Sequence, residues 1–174
     1  LADADAPVRI AVYEWSGPES QTILLPWTEL TDAAALADAA VAIQAARRRD
    51  AELTTAIGTA LLTGYALLEE QGECWRRTLD LSGDGQNNTG PRPQQVGEPP
   101  AGATVNALVI GGADLRGDDR RQSEIKELSS YFRVFVIRGP GAFVETAIGY
   151  GDYQAAMERK LIRELASVAI GAVR

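Results

Sequence analysis

The sequence predicts an α/β fold: a doubly wound, mostly parallel sheet with one antiparallel edge strand and helices on both faces. Three observations predict it. Strand-like segments alternate with helix-period segments along most of the chain. The stretch 103–110 is apolar almost throughout, as in a strand covered on both faces. The first two strand-like stretches are joined by a short turn, which favours an antiparallel pair.

Each element follows from local patterning. Val8-Arg-Ile-Ala-Val-Tyr-Glu-Trp15 alternates and is β-branched, and Ser16-Gly17-Pro18 stops it. Thr22-Ile-Leu-Leu-Pro-Trp27 follows, and Pro26 lacks a ladder donor, which places this strand at a sheet edge. Thr31 or Asp32 caps a helix running to about Arg49, with Leu36, Ala39, Ala40 and Ile43 on one face. Thr54 or Thr55 opens a second helix, with Ile57, Leu61, Gly64 and Leu68 on its inner stripe and Gly72 as its stop.

The next strand runs from Trp75 to Ser82, with Thr78, Leu79 and Leu81 at its apolar or β-favouring positions. Residues 83–102 are rich in Gly, Pro, Asn and Gln and read as a long surface loop. The apolar strand 103–110 closes at Gly111-Gly112. Asp118 caps a third helix through about Tyr131, with Ile125, Leu128 and Phe132 facing inward. The stretch 132–137 fits either a helix end or a short strand, and Gly139-Pro-Gly141 breaks it. Phe143 to Thr146 is a short last strand. Asp152 caps the final helix, with Tyr153, Met157, Leu161, Leu165 and Val168 on its inner stripe and Glu158, Arg159, Arg163 and Glu164 opposite.

Bulk composition narrows the function. The length of 174 residues suits a single domain, 1–174, and 45% hydrophobic content supports a core. A net charge of −7 argues against nucleic acid and anionic membrane surfaces as partners. The chain contains no histidine, which removes Ser-His-Asp and Cys-His catalysis and every His-ligated metal site. The single cysteine, Cys74, cannot form a disulfide within the chain; it is either a small buried residue or bonded to a cysteine elsewhere. No apolar run spans a membrane, and no signal peptide is present. A start at Leu-Ala-Asp-Ala-Asp without methionine reads as a mature or cut product.

The site-like chemistry is the turn Ser82-Gly83-Asp84-Gly85-Gln86-Asn87-Asn88 at a strand end. In open α/β sheets ligands bind beyond the carboxyl ends of the strands. Asp84 lies between glycines, so its carboxylate is reachable, and the hydroxyl of Ser82 and the amides of Asn87 and Asn88 are its neighbours. Such oxygens suit a hard cation; the alternative is a solvated Asx-type turn. Thr55 opens a helix at the same sheet edge and either ligates that cation or caps the helix, with Thr54 beside it for the other task. Gly111-Gly112-Ala-Asp114 lacks the G-x-G-x-x-G spacing and the P-loop lysine, so it does not read as a nucleotide site. Asn87-Asn-Thr89 is formally a glycosylation sequon.

Taken in order, these segments resemble a von Willebrand factor A-type domain, a Rossmann-like three-layer sandwich. More narrowly, they resemble a bacterial family known as domain of unknown function 1194. The matching pieces include Ala11-Val-Tyr-Glu-Trp-Ser-Gly17, Pro26-Trp-Thr28, Thr55-Ala-Ile-Gly58 and Arg77-Thr-Leu-Asp-Leu-Ser-Gly-Asp-Gly-Gln-Asn-Asn88. Thr104-Val-Asn-Ala-Leu-Val-Ile110, Gly139-Pro-Gly-Ala-Phe-Val144 and Arg159-Lys-Leu-Ile-Arg-Glu164 complete the set.

The resemblance implies a metal-ion-dependent adhesion site in which Asp84 and Thr55 ligate magnesium and the metal accepts a carboxylate from a protein partner. That is binding without turnover. The superfamily's D-x-S-x-S loop is absent from this sequence, and the first strand and helix of the pattern would precede Leu1. The resemblance therefore implies an incomplete site, with a periplasmic or extracellular setting for the parent protein. Two alternatives accompany it: a metal-dependent hydrolase using Asp84, with or without Asp80, and one half of a two-chain or strand-swapped assembly, in which a missing strand comes from elsewhere.

Overall fold

The computed structural model describes residues 8–47, 52–72, 74–112 and 118–171. β1 (Val8–Trp15) and β2 (Gln21–Leu30) form an antiparallel pair. Their turn is closed by the Ser16 N–H donating to Ser20 O and the Ser20 N–H to Gly17 O, both at 3.1 Å. The ladder shifts register around Val12, opposite the stretch that holds Pro26. Among the described residues β2 has no second neighbour, so the missing donor of Pro26 falls on an edge strand as expected.

Helix α1 (Ala33–Ala45) is capped by Asp32, whose Oδ1 accepts the Ala35 N–H at 2.8 Å. It buries only Ala39, while Leu36 and Ala40 stay exposed, so the expected inner stripe is corrected. α1 lies against β2, but its alanine-rich turns offer little bulk to bury there. The helix ends at Ala45, short of Arg49, which lies outside the described residues.

Helix α2 (Ile57–Glu69) buries Ile57, Leu61, Gly64 and Leu68, the stripe its period implies. Its C-cap is Glu70, ahead of the glycine stop expected at Gly72. Gly64 permits close packing on β3 (Arg77–Gly83): an added Cβ would lie 2.6 Å from the Leu79 side chain. Trp75, expected to begin this strand, is 81% exposed and precedes it. Cys74 is an exposed free thiol, which overturns the buried reading.

β3, β4 (Ala103–Ile110) and β5 (Val144–Ala147) form a parallel sheet in that order. Every residue of β4 is buried, as its apolar run predicts. Helix α3 (Asp118–Phe135) takes up the first part of the ambiguous 132–137 stretch, with Phe132 and Val136 buried. The cap expected at Asp118 lies outside the described side chains. Asp152 belongs to a short 3-10 turn (Tyr150–Asp152) rather than capping the last helix, and its Oδ2 accepts the Ile148 N–H at 3.2 Å. The final helix, α4 (Tyr153–Gly171), follows directly.

Side chains of β3 divide between two helical layers. Gly83 faces Phe132 of α3, and Leu79 faces α2. Asp80 and Ser82 face Lys160 and Tyr153 of α4. Helices thus cover both faces of the three-stranded sheet.

The inner stripe of α4 is the predicted one only in part: Tyr153 and Met157 pack against the cluster of Leu108, Ile110, Ala147 and Ala156. Ala156 and Lys160 are buried, whereas Leu161 and Leu165 are 44% and 51% exposed; Val168 lies outside the described side chains. The expectation of a single sheet is also corrected. Among the described residues β1 pairs only with β2, and β3 only with β4. The two sheets nevertheless share a core, because Tyr13, Trp15 and Trp27 pack against the cluster that includes Leu61, Leu81, Val105 and Phe132. α2 joins them: Ala60 O accepts the Tyr13 hydroxyl at 2.8 Å, and Leu67 O accepts the Trp27 indole N–H at 3.1 Å. No helix among the described residues is long and apolar enough to cross a membrane.

Candidate functional site

Three loops meet at the carboxyl end of β3. The Asn88 Oδ1 accepts the Thr55 N–H at 2.8 Å, and the Asn88 N–H donates to Thr55 O at 2.9 Å. This two-bond clasp joins the 84–88 turn to the start of α2. Asn87 strengthens it: its Oδ1 accepts the Gly58 N–H at 3.2 Å, satisfying a first-turn donor, and its Nδ2 donates to Thr89 O at 3.0 Å. Only glycine fits at position 58, where an added Cβ would lie 2.0 Å from Pro91 O. The third loop enters through the Ala56 N–H, which donates to Ser16 O at 2.8 Å just beyond β1.

This arrangement brings Thr55 and Asp84 to one rim. A Cβ placed on Gly85 would sit 3.5 Å from the Thr55 Oγ1. The N-cap of α2 is Ala56, and no side chain caps it there. The Thr55 hydroxyl therefore has no capping role and makes no hydrogen bond among the described residues. The Asp84 carboxylate is exposed, and its Oδ2 accepts the Tyr150 hydroxyl at 2.6 Å. Beside it opens a cleft of about 250 Å³ lined by Asp84, Gln86, Glu124, Glu127 and Leu128.

The other expected site residues have different surroundings. The Ser82 hydroxyl lies 3.4 Å from the Tyr153 hydroxyl, on the α4 side of the sheet. Asn87 and Asn88 spend their amides on the clasp, so they shape the rim rather than offer free ligands. Of the Gly111-Gly112-Ala-Asp114 segment, Ala113 and Asp114 lie outside the described residues.

Magnesium requires a near-octahedral oxygen shell. The rim offers the Thr55 hydroxyl and the Asp84 carboxylate, one oxygen of which is engaged by Tyr150. Among the described residues no group of three or more His, Cys, Asp or Glu side chains could hold a metal. The donor set by itself does not fit a complete magnesium shell.

Asp80 is separate from this rim. Four residues of extended strand put its Cα roughly 13 Å from that of Asp84, too far for one ion to bind both. Asp80 instead forms a close ion pair with the fully buried Lys160, which also reaches Glu164 Oε1 at 2.6 Å. The same Glu164 oxygen accepts the Asn106 Nδ2 at 2.8 Å, and Asn106 Oδ1 accepts the Phe143 N–H at 3.1 Å. Burial pushes the Asp80 carboxyl up to about 6; Lys160 opposes that rise and Glu164 adds to it.

Sequence reasoning missed Lys160, Glu164, Asn106 and Tyr150. Two signals were available: an asparagine at the centre of an otherwise apolar strand, and a Lys-Glu pair at i,i+4 on a helix that packs against it.

No curated protein and no solved structure matches the chain. A family profile does match, over residues 1–169, which is nearly the whole sequence. The chain therefore belongs to the family described as protein of unknown function (DUF1194).

Proposed function

We propose that this chain is a non-enzymatic, protein-binding domain of the von Willebrand factor A type, and that it binds through the carboxyl edge of β3. The carrying observation is the Thr55–Asn88 clasp, which holds a hydroxyl that is unbonded among the described residues against Gly85, next in the chain to the exposed Asp84. The acidic cleft next to that rim gives a partner segment somewhere to seat. The separation of Asp80 from Asp84, and the engagement of Asp80 by Lys160, favour binding over metal-dependent hydrolysis. A periplasmic or extracellular setting belongs to the same reading and rests on the family resemblance.

Peptides selected from a displayed library on the wild-type chain, with magnesium present, provide the test. The reading expects their binding to fall at least tenfold on Asp84→Asn and on Thr55→Val, the loss of a charge-assisted contact. Selected peptides that bind both variants as well as wild type would sink it.

A second reading is favoured by the split sheet. β1 and β3 each leave one edge unpaired among the described residues, yet both belong to one core. An added strand, from a second copy or another polypeptide, would satisfy those backbone groups. Light scattering after size exclusion tests self-association: a dimer that dissociates when a strand peptide is supplied supports it, and a concentration-independent monomer that ignores strand peptides contradicts it.

A further inference from the structure

The segment Gly139-Pro-Gly-Ala-Phe-Val144 takes no part in the rim described above. It lies at the opposite, amino end of the parallel sheet, just before β5. Gly139 has φ of 88°, and an added Cβ there would sit 2.5 Å from Ala103 O. The segment is thereby pressed onto the start of β4 and delivers a buried Phe143 to the sheet edge, pinned by the bond from its N–H to Asn106.

A cavity of about 480 Å³ opens at this edge, lined by Arg76, Thr104, Pro140, Phe143 and Arg163 together with glycine backbone. None of its lining residues is acidic, in a chain whose net charge is −7. The Arg163 guanidinium carbon lies 3.8 Å from the centroid of the Phe143 ring. Stacking fixes the plane of the guanidinium and leaves its N–H edges pointing away from the ring. Those edges have no protein partner among the described residues. Lys160 lies 5.7 Å from the same ring, but Asp80 and Glu164 already compensate its charge.

We infer that this cavity binds a small organic carboxylate. Arg163 forks its head group, and Phe143 and Pro140 receive the apolar stem. A planar guanidinium edge matches a carboxylate with two parallel hydrogen bonds, and the volume lies in the range of small-molecule sites. The inference is independent of Asp84 and of the rim at the other end of the sheet.

The test is an amide and arginine side-chain NMR titration of the full chain with benzoate, with inorganic phosphate as a separate arm, at constant ionic strength. Saturable shifts at Gly102, Gly141, Phe143 and the Arg163 Nε are expected with benzoate. Arg163→Ala should weaken benzoate about tenfold and Arg163→Lys several-fold, since an ammonium keeps the charge and loses the fork. Arg163→Lys, the milder change, keeps the test decisive if Arg163→Ala disturbs the fold. Shifts that stay linear with concentration, or an affinity unchanged in Arg163→Lys, would overturn the site. Saturation by inorganic phosphate in preference to benzoate would overturn the carboxylate assignment.

Discussion

Lys160 and Asp80 show how much a single residue can redirect the reading of an element. A fully buried lysine is held between Asp80 and Glu164, and the price of desolvation falls on Asp80. The pH dependence has a definite sign. Asp80 titrates near 4 in an unfolded chain and at about 6 in the folded one. Folding therefore favours the protonated form. The stability this contributes is full below about pH 4 and is lost as pH rises through about 6. Asp80→Asn removes the titration, so wild type should lose stability relative to that variant across this interval. The expected difference is on the order of 2 kcal/mol, reduced from the full shift because the Asp80 side chain is 29% exposed. Urea denaturation of both proteins from pH 4 to 7 measures it, and a difference flat in pH contradicts it. At the rim, Asn88→Ala removes the acceptor for the Thr55 N–H. A loss of about 1–2 kcal/mol is expected, with faster hydrogen exchange at Thr55; unchanged exchange there would mean the clasp is not what holds the loops together.

At the scale of elements, one side chain gathers the second half of the long connection between β3 and β4. Arg138 donates to the Tyr65 hydroxyl at 3.2 Å, to Val96 O at 2.8 Å, and to the carbonyls of Gly97 and Pro93. Lysine cannot reproduce that fork. Arg138→Lys should therefore cost about 2–4 kcal/mol and speed proteolysis within 84–102, as limited digestion with mapped cut sites would show. Cutting at an unchanged rate would remove Arg138 from that role. Elements with strong local patterns were legible in the sequence: the alternating β1, the apolar β4 and the inner stripe of α2. α1 and α4 were less so. The alanines of α1 fit a stripe by spacing yet bury little. The leucines of α4 suggested a stripe, but the helix turns Lys160 and Glu164 inward, where Asp80 and Asn106 on the sheet offer polar partners. Periodicity counts apolar residues and is blind to such a partner until the strands are placed beside the helix.

Across the whole molecule, the two ends of the parallel sheet carry opposite chemistry. The carboxyl end gathers Asp84, Glu124 and Glu127 around a cleft, and the amino end gathers Arg76 and Arg163. Asp84 and Thr55 at the first were readable from the chain, since the Ser82–Asn88 turn and Thr55 fall at one sheet edge in any parallel α/β arrangement, while Glu124 and Glu127 were not. The second was not, because Arg76, Phe143 and Arg163 are brought together only by the crossing of α4 over the sheet. The division into two sheets was also beyond the local pattern, which records strands and not their pairing. The central claim is that the Asp84 rim is the binding surface. Amide-shift mapping of the wild-type chain with a selected peptide ligand tests it most directly. The largest changes are predicted at Thr55, Gly85, Gln86 and Asn88, with smaller ones at Glu124 and Glu127. Changes confined to the β1 and β3 edges, or to the Arg163 end, would contradict it.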